Sequence, residues 1–340
     1  MRFTTVQTTL SIAAAMALIC AAPPALRAQD GKTYTMKITA PTLNAGPDLF
    51  GRAFGAAVEK ESGGRIKAEV YPASQLGPVP RQIEGTQFGS IQCAMLPPEF
   101  FVGVDERFEV LAAPGLVDSL KLGERVAADP AVVKMMLGLG ADKGLHGVGL
   151  FYAEPAYVAT RAPIRHLPDF NGKKIRIFAS EFQKVAFQRL GASPIAMSPS
   201  DVLVAIQQGT LDGAVAGITF LAGLKFQAAA KFVTQTDHSS IFIVAECSKK
   251  WLDTLPEDLR QVIDRVGASE SKAFVQPARE IIDKGLKGWT AGGGELIELP
   301  AAEHTEMVKI LASVGADVAK SKPKVQEAYQ LVTDAVARLK

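Results

Sequence analysis

Several features that would assign a function directly are scarce in this sequence. The chain of 340 residues has only three cysteines, two tryptophans and four histidines, and charged residues make up 21% of it. Its 37 basic and 35 acidic residues are interspersed, with a formal net charge of +2. The lack of a basic block excludes a dedicated nucleic-acid-binding surface and a polybasic membrane patch. We therefore predict no nucleic-acid partner.

The common motifs of cofactor-dependent and hydrolytic enzymes are missing as well. The closest approach to a dinucleotide-binding loop begins at Gly138, and Lys143 stands where the third glycine belongs. No histidine has a cysteine or an acidic residue at the spacing of metal ligands. We predict no cofactor, no metal and no catalysis. The open alternative is an exported enzyme on a two-lobed α/β scaffold, with catalytic residues scattered along the chain.

An apolar segment with few charges opens the chain. Arg2 is followed by an apolar run over residues 12–22, a pair of prolines and small residues ending at Ala28. The run is shorter than the roughly 20 residues that cross a membrane, and this order is typical of a secretory signal peptide. We predict a cleaved signal peptide over residues 1–28 and a formally neutral, exported mature chain.

Two cysteines, Cys93 and Cys247, then belong to the mature chain. Each lies in an apolar run, which is typical of a buried small hydrophobic residue. We predict two unpaired thiols, and the alternative is a disulfide formed in an oxidising compartment.

Hydrophobic periodicity divides the mature chain into alternating strands and helices. Strands at 33–39, 65–71 and 91–96 enclose two helical segments, an order typical of a parallel sheet flanked by helices. The pattern begins again after residue 145, which indicates a second α/β lobe joined to the first by crossing strands. Further strands are predicted at 147–152, 174–178, 212–216, 241–245 and 296–299.

Two helix signals bear on how the lobes are built. Residues 198–201 read Ser-Pro-Ser-Asp, the spacing of a capping box in which the Ser198 side chain caps its own helix. A long helix begins near Pro256 and suggests a strut, which Pro277 is expected to kink or interrupt.

One arginine stands out because it lies inside an apolar strand. Alternation puts Ile175 and Ile177 on one face and Arg176 on the other, near the carboxyl end of the strand. Ligands of open α/β sheets bind beyond the carboxyl ends of strands, and a guanidinium can hold a carboxylate through two hydrogen bonds. The residues alone leave two interpretations open, a carboxylate clamp and a salt bridge to a nearby acid.

Five segments stand in a fixed order over nearly the whole mature chain: Tyr71–Gly77, Asp169–Arg176, Leu190–Pro194, Ala205–Gly213 and Leu255–Leu259 together with Trp251. Together they resemble the solute-binding subunit of the tripartite ATP-independent periplasmic (TRAP) transporters, the DctP-type receptors. The resemblance implies a periplasmic-binding-protein-like α/β fold, with two lobes around a ligand cleft and a long helix spanning both. It also implies a periplasmic receptor that closes on a small organic acid and delivers it to integral membrane subunits.

This resemblance gives the lobes approximate bounds. We predict lobe I over residues 29–153 and about 242–281, and lobe II over 154–241 and about 282–340, in a monomer. A receptor that serves a sensor instead of a transporter is the alternative within the same class.

The resemblance also places the family's carboxylate-binding arginine at Arg176. Three polar or aromatic positions of sialic-acid-type members differ, because this chain has Ala156, Pro199 and Ala216 there. The pocket therefore loses polar contacts. We predict a compact or partly apolar monocarboxylate rather than a polyhydroxylated sugar acid.

Residues at strand ends complete the predicted ligand site. Each has an alternative role: the asparagine caps a helix, the acids are solvated or the aromatic rings are core. Glu154 has a further alternative, pairing with Arg176 in the empty protein. With Arg176, the predicted ligand-binding residues are Asn44, Glu99, Phe100, Glu154, Tyr157, Ala216 and Phe220.

Overall fold

The computed structural model describes Met1 and residues 32–340. Apart from Met1, the predicted signal peptide over 1–28 lies outside the described residues. Within that described part, no helix combines the length and the apolar character needed to cross a membrane.

Residues 32–340 contain one mixed sheet of nine strands. Its order is β2-β1-β3-β8-β4-β7-β5-β6, and β9 pairs with β8. The strands are β1 (Tyr34–Thr39), β2 (Ile66–Tyr71), β3 (Cys93–Leu96), β4 (Leu145–Thr160), β5 (Lys174–Ile177), β6 (Ser193–Ala196), β7 (Gly213–Ala216), β8 (Phe232–Ser248) and β9 (Glu295–Glu298).

Helices cover this sheet, and most of them follow a strand directly. The predicted alternation of strands and helices is confirmed, although β6, α3, α4, α7, α8 and α12 were not predicted. The helices are α1 (Gly46–Glu61), α2 (Val79–Phe88), α3 (Leu120–Ala128), α4 (Pro130–Gly138), α5 (Glu181–Arg189), α6 (Pro199–Gln207), α7 (Ile218–Gly223), α8 (Lys249–Leu252), α9 (Glu257–Ala273), α10 (Val275–Ala291), α11 (Ala301–Leu311), α12 (Val314–Lys320) and α13 (Pro323–Leu339).

Strand direction creates two lobes with a cleft between them. Strands β1, β2 and β3 are parallel to one another, as are β5, β6 and β7. β8 is antiparallel to β3 and β4, and β4 is antiparallel to β7. Strands β1–β3 are therefore parallel to β4, and strands β5–β7 are antiparallel to it. As a result, the carboxyl ends of the two groups face each other across the middle of β4.

Two long strands carry the chain across this cleft. In β4, Leu150 lies level with the end of the first strand group and Tyr157 level with the end of the second. The residues between them span roughly 20 Å at the usual rise of a strand. The predicted strands 147–152 and 241–245 are thus central parts of much longer strands, because each serves both lobes.

The long helix predicted from Pro256 is interrupted, as expected from its proline. α9 ends at Ala273, α10 starts at Val275, and Phe274 separates them. Pro277 has no N–H group to donate to the carbonyl of Ala273, and its ring crowds that carbonyl. α9 packs against α1 and against β4 at Val148, whereas α10 packs mainly against α7 and also against β4.

The last helix returns to the β1–β3 lobe. α13 packs against α3 and α4, and its Arg338 forms an ion pair with Asp129 at the start of α4, 3.0 Å apart. Residues 323–339 belong to the predicted lobe II, so this contact crosses between the two predicted lobes. The lobe bounds stay a prediction.

Cys93 and Cys247 form a disulfide, so the prediction of two unpaired thiols is wrong. Their strands, β3 and β8, are antiparallel neighbours, and the two residues lie in register with Cα atoms 4.0 Å apart. The bond closes a loop across a sequence separation of 154 residues. It joins the β1–β3 group covalently to a strand that crosses the cleft.

Replacing both cysteines (Cys93→Ala with Cys247→Ala) should lower the free energy of unfolding by about 2–5 kcal/mol, because the unfolded chain regains the entropy of the open loop. Urea unfolding of the two proteins measures this difference. Reduced wild-type protein is the matched control and should approach the stability of the double variant. Equal stability of oxidised and reduced wild type would contradict the expectation.

A carboxyl group lies fully buried beside this disulfide. Glu246 is 0% exposed in β8, where it pairs with Ala94 on one side and Gly147 on the other. Within residues 32–340, neither of its carboxyl oxygens has a hydrogen-bond partner. Burial raises the pKa of Glu246 well above its usual value of 4.5, so the side chain keeps its proton in the folded protein.

Glu246→Gln should therefore stabilise the protein in a pH-dependent way. Below about pH 4.5 both states of wild type hold the proton; above it the unfolded chain ionises first, so wild-type stability falls with rising pH. The glutamine side chain does not ionise, so the variant does not lose stability in this way. The difference in the free energy of unfolding between variant and wild type should grow by up to about 1.4 kcal/mol for each pH unit above about pH 4.5. Urea unfolding at pH 4, 6 and 8 tests this, with exposed Glu280→Gln as the control. A constant difference between variant and wild type across this range would refute the assignment.

Candidate ligand-binding site

A small cavity lies where the carboxyl ends of the two strand groups face each other. Its floor consists of residues from the two crossing strands, Ala153 and Glu154 of β4 and Ile241 and Ile243 of β8. The wall of the β1–β3 lobe comes from the segments that follow β1 and β3, including the first turn of α1, and it comprises Pro41, Thr42, Ala45, Pro47, Pro97 and Phe100.

The opposite wall comes from the β5–β7 lobe and carries the only positive charge of the cavity lining within the described residues. Of sixteen lining residues, only Thr42, Glu154 and Arg176 have polar side chains, so the lining is largely apolar. This second wall comprises Arg176, Phe178, Pro199, Ala216, Gly217 and Phe220.

Arg176 reaches the cavity from β5 and is 1% exposed. Its Nε donates a hydrogen bond to the carbonyl of Met197 at 2.9 Å, and Nη1 donates to the carbonyl of Val215 at 3.0 Å. Nη2 has no partner within residues 32–340. The guanidinium is therefore fixed in place by backbone while one of its nitrogens stays unused.

No carboxylate in the described part of the chain lies within salt-bridge distance of Arg176, so the alternative of an internal ion pair is not observed. Two aromatic rings lie beside the guanidinium instead, with Cζ 4.6 Å from the Phe178 centroid and 5.8 Å from that of Phe100. Burial lowers the pKa of Arg176 to about 9, and the nearby charge of Glu99 opposes this shift. The side chain stays cationic at neutral pH.

Glu154 lines the cavity floor but does not pair with Arg176, so that predicted alternative is wrong. Its Oε2 accepts a hydrogen bond from the backbone N–H of Thr219 at 3.0 Å, and its Oε1 accepts one from the Thr219 hydroxyl. The carboxyl group thus binds the first turn of α7. Burial raises the pKa of Glu154 to about 7, and the Thr219 hydrogen bonds oppose this rise.

The structure brings five of the eight predicted site residues together, because Phe100, Glu154, Arg176, Ala216 and Phe220 all line the cavity. Ligand contact by any of them stays a prediction.

The other three predicted residues lie outside the lining. Asn44 is exposed, adopts a positive φ of 55°, and donates its backbone N–H to Asp48 at 2.9 Å. Glu99 is 1% exposed in the segment after β3, and Tyr157 of β4 is 4% exposed and pairs with Ala216 of β7. Burial raises the pKa of Glu99 to about 8 and that of Tyr157 to about 12.

Two further lining residues with a polar or aromatic side chain follow strand ends and were not predicted. Thr42 lies three residues after β1, in the same loop as the predicted Asn44, and Phe178 directly follows β5. The signal used for Asn44, a polar residue after a strand, applies equally to Thr42. Spacing alone could not choose between the two residues, because the choice depends on the conformation of the loop. Asn44 adopts a positive φ in that loop.

A hydrogen bond joins the two lobes at the edge of the cavity. Ser198 precedes α6 but makes no side-chain cap there, so the predicted capping box is wrong. Its Oγ instead accepts the backbone N–H of Val79, at the start of α2, at 3.2 Å. The first N–H groups of a helix have no partner within the helix, and Pro78 offers no side-chain acceptor to α2. Ser198 therefore caps a helix of the opposite lobe.

The comparisons with known proteins agree with this architecture. The family model described as bacterial extracellular solute-binding protein, family 7 (DctP) matches residues 49–322. The chain belongs to this family. The C4-dicarboxylate-binding periplasmic protein DctP of Rhodobacter capsulatus is 28% identical over 272 residues, which are 78% of this chain and 80% of that relative.

Solved structures share the fold. The sugar acid binding protein DctPAm from Advenella mimigardefordensis, in complex with galactonate, has a TM-score of 0.84 at 24% identity and covers 91% of this chain and 99% of its own. A TRAP periplasmic solute binding protein from Desulfovibrio salexigens, with bound orotic acid, has a TM-score of 0.83 at 20% identity, with coverage of 91% and 100%. The predicted family, the two-lobed α/β fold and the receptor class are confirmed.

Removing the bond between the lobes should speed the release of a bound solute. Ser198→Ala leaves the Val79 N–H without its acceptor, which costs about 0.5–1.5 kcal/mol of closure, or about two- to twelvefold in the dissociation rate. Stopped-flow measurement of solute release compares the variant with wild type.

Ser200→Ala is the matched control, since it removes the exposed hydroxyl that donates to the Ser198 Oγ at 3.3 Å and keeps the bond from the Val79 N–H to Ser198. Its dissociation rate should equal that of wild type. Equal rates for Ser198→Ala and Ser200→Ala would show that the bond contributes nothing to closure.

Proposed function

We propose that this protein is the periplasmic receptor of a TRAP transporter, which captures a small organic carboxylate between its lobes and delivers it to integral membrane subunits. It acts as a monomer, without catalysis and without a cofactor. The observation that carries this proposal is the unpaired nitrogen of a buried arginine on the wall of the cavity.

A buried cation without an anion is unfavourable, because burial removes its hydration and supplies nothing equivalent. The two backbone carbonyls satisfy part of the hydrogen-bonding capacity of Arg176 but none of its charge. A ligand carboxylate supplies both the missing acceptor and the missing charge. Since these contacts form in a water-excluded cavity, they are stronger than the same contacts on a surface.

Closure of the lobes follows from the connections between them. The pairing of β4 with β8 shifts register between Tyr152 and Glu154 and again between Pro155 and Tyr157, next to the cavity floor. The third connection, the α9–α10 helix, is interrupted at Phe274. Bulges and helix breaks bend more readily than regular structure, so these three irregular points together form the hinge.

The ligands of the relatives support the carboxylate class. The Rhodobacter relative is named for C4-dicarboxylates, and the structures named above contain galactonate and orotic acid. Each of these compounds carries a carboxyl group. A receptor that closes around its ligand also presents two shapes, so membrane subunits can distinguish the loaded receptor from the empty one.

Arg176→Ala should weaken binding of an organic acid by about 30-fold to several thousandfold, which corresponds to about 2–5 kcal/mol. Thermal unfolding against phenylacetate, mandelate, succinate and galactonate first identifies a ligand, since saturation at 100 times Kd stabilises the folded state by about 2.7 kcal/mol. Calorimetric titration then compares wild type with the variant.

Arg176→Lys is the conservative variant and should recover part of the affinity, because it keeps a charge but cannot form the fork of hydrogen bonds. Arg81→Ala, at an exposed arginine paired with Glu84, is the control and should bind like wild type. A loss below about threefold in Arg176→Ala would exclude the carboxylate clamp. Tight binding of the neutral amide phenylacetamide would exclude it as well.

A further inference from the structure

Two polar atoms of the cavity lining are buried without a hydrogen-bond partner within the described residues. One is Nη2 of Arg176, and the other is the hydroxyl oxygen of Thr42, whose residue is 7% exposed. The third polar side chain of the lining, Glu154, has both oxygens occupied by Thr219. Because both atoms belong to residues that line the cavity, a bound ligand can supply the partner that each of them lacks.

The backbone around Thr42 is held in place by hydrogen bonds, so the residue has a defined position in the wall. Its carbonyl accepts the N–H of Ala73 at 2.9 Å, and the carbonyl of Ala40 accepts the N–H of Ser74 at 3.1 Å. Ala73 and Ser74 both have a positive φ, 51° and 58°, in the turn that makes these contacts. The chain thus places an ordered turn behind Thr42.

The two free atoms belong to opposite lobes. Thr42 follows β1 and Arg176 lies in β5, so one ligand that contacts both connects the walls of the closed cleft. Within the described chain, Arg176 is the one cation of the lining, and the one other ionisable side chain is the acidic Glu154. A second ligand carboxylate would find no cation, and several ligand hydroxyls would find few free partners.

We infer that Thr42 is a second ligand-binding residue, and that the ligand is a compact monocarboxylate whose apolar or aromatic body carries one further polar group. This inference rests on the proposed function, since it takes Arg176 as the site of the carboxylate. The apolar body lies against Phe178, Phe220 and Ile243, and the single polar group bonds the Thr42 hydroxyl. Dicarboxylates and sugar acids, which relatives bind, are the ligands that this cavity rejects.

Calorimetric titration with five acids tests the inference. Phenylacetate, mandelate and 4-hydroxyphenylacetate share one apolar body and differ by a single hydroxyl, while succinate and galactonate represent the rejected classes. We expect the tightest of the three aromatic acids to bind at least tenfold more tightly than succinate and galactonate. Thr42→Val should weaken the tighter of the two hydroxylated acids by about two- to tenfold and leave phenylacetate unchanged.

Two further variants separate a ligand contact from a structural effect. Thr42→Ser keeps the hydroxyl and should retain the preference for the hydroxylated acid. Thr39→Val removes another buried hydroxyl without a partner at the end of β1, outside the cavity lining, and should leave all affinities unchanged. Equal weakening of phenylacetate and its hydroxylated relatives by Thr42→Val would overturn the role of Thr42.

Failure of this inference is distinct from failure of the proposed function. Tightest binding of succinate or galactonate, still abolished by Arg176→Ala, would overturn the ligand class and keep the carboxylate receptor. Binding that is independent of Arg176, or no binding of any acid, would overturn both.

Discussion

The β5–β7 lobe holds one buried guanidinium in place through backbone carbonyls, without an acidic partner and with one nitrogen left free. Arg176 lies on β5, which has β7 on one side and β6 on the other. The carbonyl that accepts from Nε belongs to Met197, just after β6, and the carbonyl that accepts from Nη1 belongs to Val215 in β7. Both neighbours of the strand are therefore needed to hold the cation in place, and neither supplies a charge.

The lining around this cation is mostly apolar, which determines how strongly the guanidinium interacts with a ligand. Four of its lining residues are prolines, Pro41, Pro47, Pro97 and Pro199, and a proline contributes no backbone donor. The rings of Phe100 and Phe178 exclude water beside the guanidinium. Low polarity strengthens each electrostatic contact and raises the cost of every unpaired polar group. The same lining therefore favours a ligand with one carboxylate and disfavours ligands with further unpaired polar groups.

Local periodicity and family resemblance predicted the fold and the place of Arg176, because both depend on short segments. Contacts between distant segments could not be predicted in this way. The pairing of Cys93 with Cys247 depends on the register of two strands, and the role of Ser198 depends on a helix of the other lobe. In the loop after β1, spacing alone could not distinguish Asn44 from Thr42, and only the structure shows that Thr42 lines the cavity while Asn44 does not.

The floor of the cleft connects the site to the helix that spans the lobes. Glu154 binds the first turn of α7, which packs against α10, while α9 lies so close to β4 that a side chain at Gly267 would collide with the Val148 carbonyl. α9 thus packs against the first part of β4, whereas α10 is connected through α7 to Glu154 near the middle of that strand. Any change in the angle between the lobes must bend the helix at Phe274 and β4 near Glu154 together. A ligand that holds both walls therefore fixes the hinge as well, so binding and closure become one equilibrium.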